Sequence, residues 1–247
     1  MADILQRRLP YDPMAPRPLP GIQPLALEDW LIADEAFAGQ MAERARLLAE
    51  RREAVLALAE GARGAPLELL DLVLSLAYPG AGEMALRPDG IAVPIDRADP
   101  LATLGHLVQE DLCLLQTPEG AAEHILTGAV LCFPASWKLA EKIGRPLLAI
   151  HDPVASYDAG IAARVQRLFD GVQPGRPLWR FNALWYEEAA LHQPRSRHQR
   201  RPQRRAGEAP FLRSERQCIL RLPQSGAVVF SIHTYVLARA DVASGPG

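Results

Sequence analysis

Six histidines, His106, His124, His151, His192, His198 and His233, carry the most versatile side chains in the sequence. None lies three or four residues from another, so a metal site built from a histidine pair on one helix face is not encoded. His151 follows the apolar run Pro146-Leu147-Leu148-Ala149-Ile150 and precedes Asp152-Pro153, between two helical patterns. A neutral imidazole there can ligate a metal through one nitrogen while a carbonyl or carboxylate holds the other; the alternative is a hydrogen-bonded loop histidine. His233 shares one strand face with Ser231 and Tyr235, a polar trio that either lines a pocket or faces water. Over 212–222, Arg216 alternates in step with Leu212, Ser214, Cys218, Leu220 and Leu222, whereas Arg213, Glu215 and Arg221 fall on the other, polar face. A guanidinium on an inner face needs a partner. Glu110 or Asp111 is one option, and the carboxylate or phosphate of a bound ligand is the other.

The elements that must position these groups follow from pattern. Six prolines in residues 9–24 predict an extended arm (1–25) laid over the body, and 26–240 reads as one domain. Leu27 to Ala62 is helical in pattern, with a break at Gly39, and a further helix runs from Pro66 to about Tyr78. Residues 90–96, 108–116 and 124–133 read as short strands. Ser136 caps a predicted helix through Ile143, and Tyr157–Phe169 is another. Leu178–Tyr186 reads as a strand, and Phe211–Leu222 with Ala227–Leu237 as a hairpin around Pro223-Gln224-Ser225-Gly226. Helices, short strands, helices and then three long strands suggest an α+β fold with an antiparallel sheet.

Composition removes several function classes. The chain has 247 residues, 49% hydrophobic and 23% charged, with net charge −2; that supports a sizeable core and gives no bulk attraction to nucleic acid or anionic membrane. No run of 18 apolar residues occurs and the N-terminus has no apolar leader, so we expect a cytoplasmic protein with no membrane partner. Cys113, Cys132 and Cys218 are too scattered for a disulfide framework, a zinc site or a self-contained iron–sulfur cluster. Glycine-rich nucleotide loops, a His-Glu-x-x-His motif and a nucleophile elbow are absent from the sequence. Only Lys138 and Lys142 are lysines. Six arginines crowd residues 195–205 of a polar loop, 194–210, without an aromatic residue for base stacking. That loop reads as solvated or as a docking surface for an acidic partner protein, not as a nucleic-acid site.

Longer motifs add a family. Val108-Gln109-Glu110-Asp111-Leu112-Cys113-Leu114-Leu115, Phe133-Pro134-Ala135-Ser136-Trp137-Lys138 on to Gly144-Arg145-Pro146, Ile150-His151-Asp152-Pro153-Val154, Glu215-Arg216-Gln217 and Leu222-Pro223-Gln224-Ser225-Gly226 stand in order along the chain. Together they resemble the haem-dependent oxidative N-demethylase α-subunit-like family. The resemblance implies a PAS-like antiparallel sheet with flanking helices and an N-terminal helical extension, holding haem b. It implies an oxidoreductase that activates O2 at the iron to demethylate a small secondary amine such as dimethylamine. NADPH, FMN, a 2Fe–2S centre and tetrahydrofolate would then belong to partner subunits of reductase or ferredoxin type. A non-catalytic haem- or ligand-binding sensor is the alternative. By the same resemblance His151 is the expected iron ligand, and Arg216, Lys138 and Arg145 are candidates for the haem propionates. Glu110, Asp111 and Tyr235 are candidates for catalysis, with Ser231 and His233 for substrate contact. The chain departs from the family pattern at Ala155-Ser156, at His233, where arginine is usual, and in the spread Asn182-Ala183-Leu184-Trp185.

Overall fold

The computed structural model describes residues 3–15, 21–121, 123–135, 137–151, 159–196 and 209–242; of residues 151 and 159–162 it describes the backbone alone. In chain order the elements are β1 (Gln23–Pro24), α1 (Phe37–Glu50), α2 (Arg52–Val55), β2 (Leu56–Leu58), α3 (Gly64–Ala77), β3 (Met84–Leu86), β4 (Ala92–Pro94) and α4 (Pro100–Leu107). They continue with β5 (Asp111–Gln116), β6 (Ile125–Val130), α5 (Leu147–His151), α6 (Ala159–Gly171), β7 (Leu178–Tyr186), β8 (Phe211–Arg221), β9 (Val228–Ala238) and α7 (Arg239–Val242). The fold is α+β. Seven strands form one open antiparallel sheet in the order β1-β7-β8-β9-β5-β6-β2, and β3-β4 is a separate small hairpin.

The β8–β9 hairpin is the axis of the sheet. Its strands of 11 residues each stay in register from Phe211↔Ala238 to Arg221↔Val228. The turn is closed by Gly226 at φ 67°, and its amides at Gln224 and Ser225 donate to the Glu68 carboxylate of α3. Alternation along the strands divides the apolar residues between two sides. Cys218, Leu220 and Val229 meet Trp30, α1, α3 and α4, and Tyr235 and Leu237 meet Leu9 and Tyr11 of the arm; this is the N-terminal face. Ile219, Val228 and Ile232 meet Phe169 of α6 and Val172 just after it, together with Leu139 and Leu147; this is the α6 face.

Three local expectations are corrected by the structure. Gly39 does not break the helix: it lies inside α1, where a Cβ would come within 3.1 Å of Ile4, so the missing side chain makes room for the arm. The helical pattern to Ala62 ends early, because β2 pairs with the outer edge of β6 and satisfies its backbone. The helix predicted from Ser136 to Ile143 shrinks to a 3-10 turn, Leu139–Glu141, and Ser136 lies outside the described residues. Gly144 donates to Leu126 and Arg145 accepts from it, so the 143–146 backbone is drawn onto β6 instead of continuing a helix. Conversely, α4 is apolar on every side and buried almost throughout, so periodicity could not announce it.

Candidate functional site

β9 runs past the point where β5 begins, so at Thr234 and Val236 it pairs with β8 on one edge and has no strand on the other. Glutamine side chains fill the gap. Gln6 and Gln40 donate to the Thr234 carbonyl, and the Val236 amide donates to Gln6. Beside them stands His233, 1% exposed, with Nδ1 3.0 Å from Glu110 and Nε2 3.1 Å from Asp34. Both ring nitrogens donate to carboxylates, so the ring is an imidazolium. Burial by itself would lower its pKa, but the bonds to Asp34 and Glu110 outweigh burial and raise it to about 9. Burial likewise acts to raise the Asp34 pKa, and His233 with the Gln109 and Gln6 amides brings it down to about 2. Glu110 also accepts the Ile32 amide at 3.0 Å, and Trp30 donates its indole N–H to Ser231 at 2.8 Å. Residues 30–34 are thereby fastened to β9.

Arg216 belongs to the same side. Its partners are backbone carbonyls, those of Trp30 at 2.9 Å and Asp29 at 2.7 Å, with the Trp179 ring under the guanidinium. The Tyr235 ring lies tilted against His233, centroids 4.6 Å apart, and burial raises its pKa far above the ordinary tyrosine range. Asp111 serves a different join. It pairs with the fully buried Arg44 of α1 at 2.7 Å and accepts the Cys132 and Phe133 amides. Phe133 in turn gives its carbonyl to Arg213, which also reaches Leu191. Residues 131–135 and 189–193, bridged at Ala135↔Gln193, thus form a strap over one end of the α6 face.

Between that strap and α6 the α6 face carries a polar band: Arg180 and Asn182 on β7, Glu215 and Gln217 on β8, and Thr234 on β9. Glu215 accepts from the Asn182 and Gln217 amides at 3.1 and 3.2 Å and lies 3.5 Å from Arg213. Arg180 Nε and Thr234 Oγ1 are buried with no hydrogen-bond partner. Ile219, Phe230 and Ile232 border the band as an apolar floor. The odd-numbered side of β8, polar by alternation, is therefore an interior surface: Arg213 is 2% exposed.

A model of the haem-dependent oxidative N-demethylase, alpha subunit-like, family matches residues 21–247. The chain belongs to this family. Its members' name implies dependence on haem, and the residues singled out by sequence fall in two groups on the fold. Glu110, Ser231, His233, Tyr235 and Arg216 converge on the N-terminal face. His151 ends α5, which packs with α6 on the opposite face through Leu147 and Ile150, and its side chain lies outside the described residues. Lys138 and Arg145 are exposed in the segment before α5. Lys142, the other lysine of that segment, is buried and donates to the Ile150 carbonyl, joining the segment to α5. Arg180, Asn182, Gln217 and Thr234 were missed by sequence reading. Their signal was strand alternation combined with register, which brings Arg180 and Asn182 beside Gln217 and Glu215 and puts Thr234 next to Glu215. The arginine-rich segment lies outside the described residues beyond Ser196. Among the described residues no helix is long and apolar enough to cross a membrane.

Proposed function

We propose that this chain is the haem-carrying subunit of an oxidative N-demethylase, acting on a small secondary amine of the dimethylamine type with O2 and externally supplied electrons. The observation that carries the reading beyond family membership is the polar band on the α6 face. Buried polar atoms without partners, Arg180 Nε and Thr234 Oγ1, stand beside an apolar floor and opposite the helix pair that carries His151. That combination suits haem b, whose macrocycle is apolar and whose propionates are anionic. The central strands also support a PAS-like reading. Taken in chain order from β5, their positions in the sheet run second, first, fifth, fourth, third, with α5 and α6 inserted after the second.

In this reading His151 would hold the haem iron, from a helix end that Lys142 ties to the preceding segment. Haem, when bound, supplies the iron at which O2 is activated. The chain's own residues bind and orient. The carboxylate that the α6 face offers a protonated amine is Glu215, held in place by Asn182 and Gln217, while Ile219 and Phe230 keep water from the floor. Electrons would come from a reductase or ferredoxin-type partner carrying flavin and iron–sulfur centres, with NADPH as source and tetrahydrofolate receiving the one-carbon unit.

The visible spectrum tests the proposal. Protein produced with iron and a haem precursor is expected to show a Soret band, and His151→Ala to lose or shift it while His198→Ala leaves it unchanged. A protein that neither carries haem nor takes up hemin removes the reading. Formaldehyde release from dimethylamine with a surrogate reductant then separates an enzyme from a haem-binding sensor.

A further inference from the structure

The arginines of the sheet have protein partners with one exception. Arg213 donates to the Leu191 and Phe133 carbonyls, Arg216 to Trp30 and Asp29, and Arg221 to Val172, Gly226 and Phe169. Arg180 has neither a carbonyl nor a carboxylate, and its Nε is buried. It stands opposite Gln217 on the neighbouring strand, on the side of β7 that carries Leu178 into the α6 core; Trp179 and Phe181 turn to the arm instead. Glu215, opposite Asn182 on this face, is already held by Asn182 and Gln217. Burial alone acts on the Arg180 charge and lowers its pKa, with no acid opposing it. Arg180 is half-buried, so the cost of its charge falls on the buried Nε, which has no partner among the described residues, and such costs are kept where function uses them.

We propose that Arg180 anchors a carboxylate of the ligand bound on the α6 face, its guanidinium fork pairing with the two oxygens and Gln217 lining the same spot. Fork and carboxylate match in geometry, and the bond forms at a half-buried position. Two ligands can bring that carboxylate: a haem propionate, or a secondary amine that itself bears a carboxyl group, of the N-methyl amino acid type. The inference rests on the haem reading above.

The test compares wild type with Arg180→Leu and Arg180→Lys. Hemin and its dimethyl ester, in which the propionates are neutral, are titrated into the apoprotein at the Soret band. N-methylglycine and dimethylamine are then titrated into the haem-loaded protein. If the carboxylate is a propionate, wild type prefers hemin to the ester by about tenfold or more; Arg180→Leu abolishes the preference and Arg180→Lys restores part of it. If the carboxylate belongs to the substrate, the hemin preference is unchanged, but N-methylglycine perturbs the spectrum of wild type and not that of Arg180→Leu, while dimethylamine acts equally on both. Equal behaviour of wild type and Arg180→Leu in both titrations overturns the anchor and leaves the haem reading standing. Failure of the wild type to bind hemin overturns both. The apoprotein supplies the control against a purely structural role: Arg180→Leu is expected to melt at or above the wild-type temperature, and a lower melting temperature overturns the proposal.

Discussion

The two faces of the central sheet hold their cations in different ways. On the N-terminal face, imidazolium, guanidinium and indole groups each have an internal partner: His233 has Asp34 and Glu110, Arg216 has two carbonyls, and Trp30 has Ser231. On the α6 face, Arg180 and Thr234 present buried atoms that nothing in the described protein satisfies. Glu110 Oε2 and the Tyr235 hydroxyl on the N-terminal face are buried without a partner as well, so the difference between the faces lies in their cations: His233 and Arg216 are held by protein acceptors, and Arg180 has none among the described residues. The constellation of His233, Asp34 and Glu110 fastens residues 30–34 to the sheet, and the ligand proposed above is placed on the other, quieter face.

Substitutions can break this contrast, and the largest effect is expected where a buried pair loses one member. Asp111→Ala leaves Arg44 charged and uncompensated; a loss of about 3–5 kcal/mol in denaturant unfolding is expected, and Arg44→Met in the same chain should recover part of it. His233→Leu strands two buried carboxylates and is expected to cost about 3 kcal/mol. The same clamp is sensitive to pH. Because the folded pKa of His233 is raised to about 9, its stabilisation is complete below the ordinary histidine value of 6.5 and fades as pH rises through 9. The lowered Asp34 value acts in the other direction, with stability present above about 4 and lost as pH falls through 2. Both shifts describe one cluster, so their energies are not summed. Melting temperature against pH should therefore decline on the alkaline side in wild type and lose that feature in His233→Leu.

Smaller changes sharpen the comparison. Trp30→Phe removes the hydrogen bond to Ser231 and should cost about 1–2 kcal/mol by chemical unfolding. Its counterpart on the other face, Thr234→Val, removes a hydroxyl that has no partner; apoprotein stability should change by less than about 0.5 kcal/mol or rise slightly. A large loss in Thr234→Val would mean that the two faces do not differ in the way described.

Much of the fold was legible in the sequence because burial imposes alternation wherever a strand has one apolar side. β7, β8 and β9 follow that rule, and the turn at Pro223–Gly226 closes the hairpin. The rule failed where an element is buried on all sides, as α4 is, or where a distant edge captures a segment, as β6 captures β2 and residues 143–146. The candidate site was legible only in part. Alternation correctly grouped Ser231 with His233 and Tyr235 and put Arg216 beside apolar neighbours, yet the period of a strand distinguishes two sides without saying what covers either.

The sequence by itself therefore determined the family, the α+β class and the residues that share each strand face, since these depend on local pattern and ordered motifs. Only the tertiary structure decided that the arm and residues 29–34 cover the side with His233 and Arg216, while α5 and α6 cover the side with Arg180 and Glu215. Those assignments depend on contacts between residues as far apart as Trp30 and Ser231. Whether a buried charge is compensated or left for a ligand is a property of its neighbours in space, not of its neighbours in the chain.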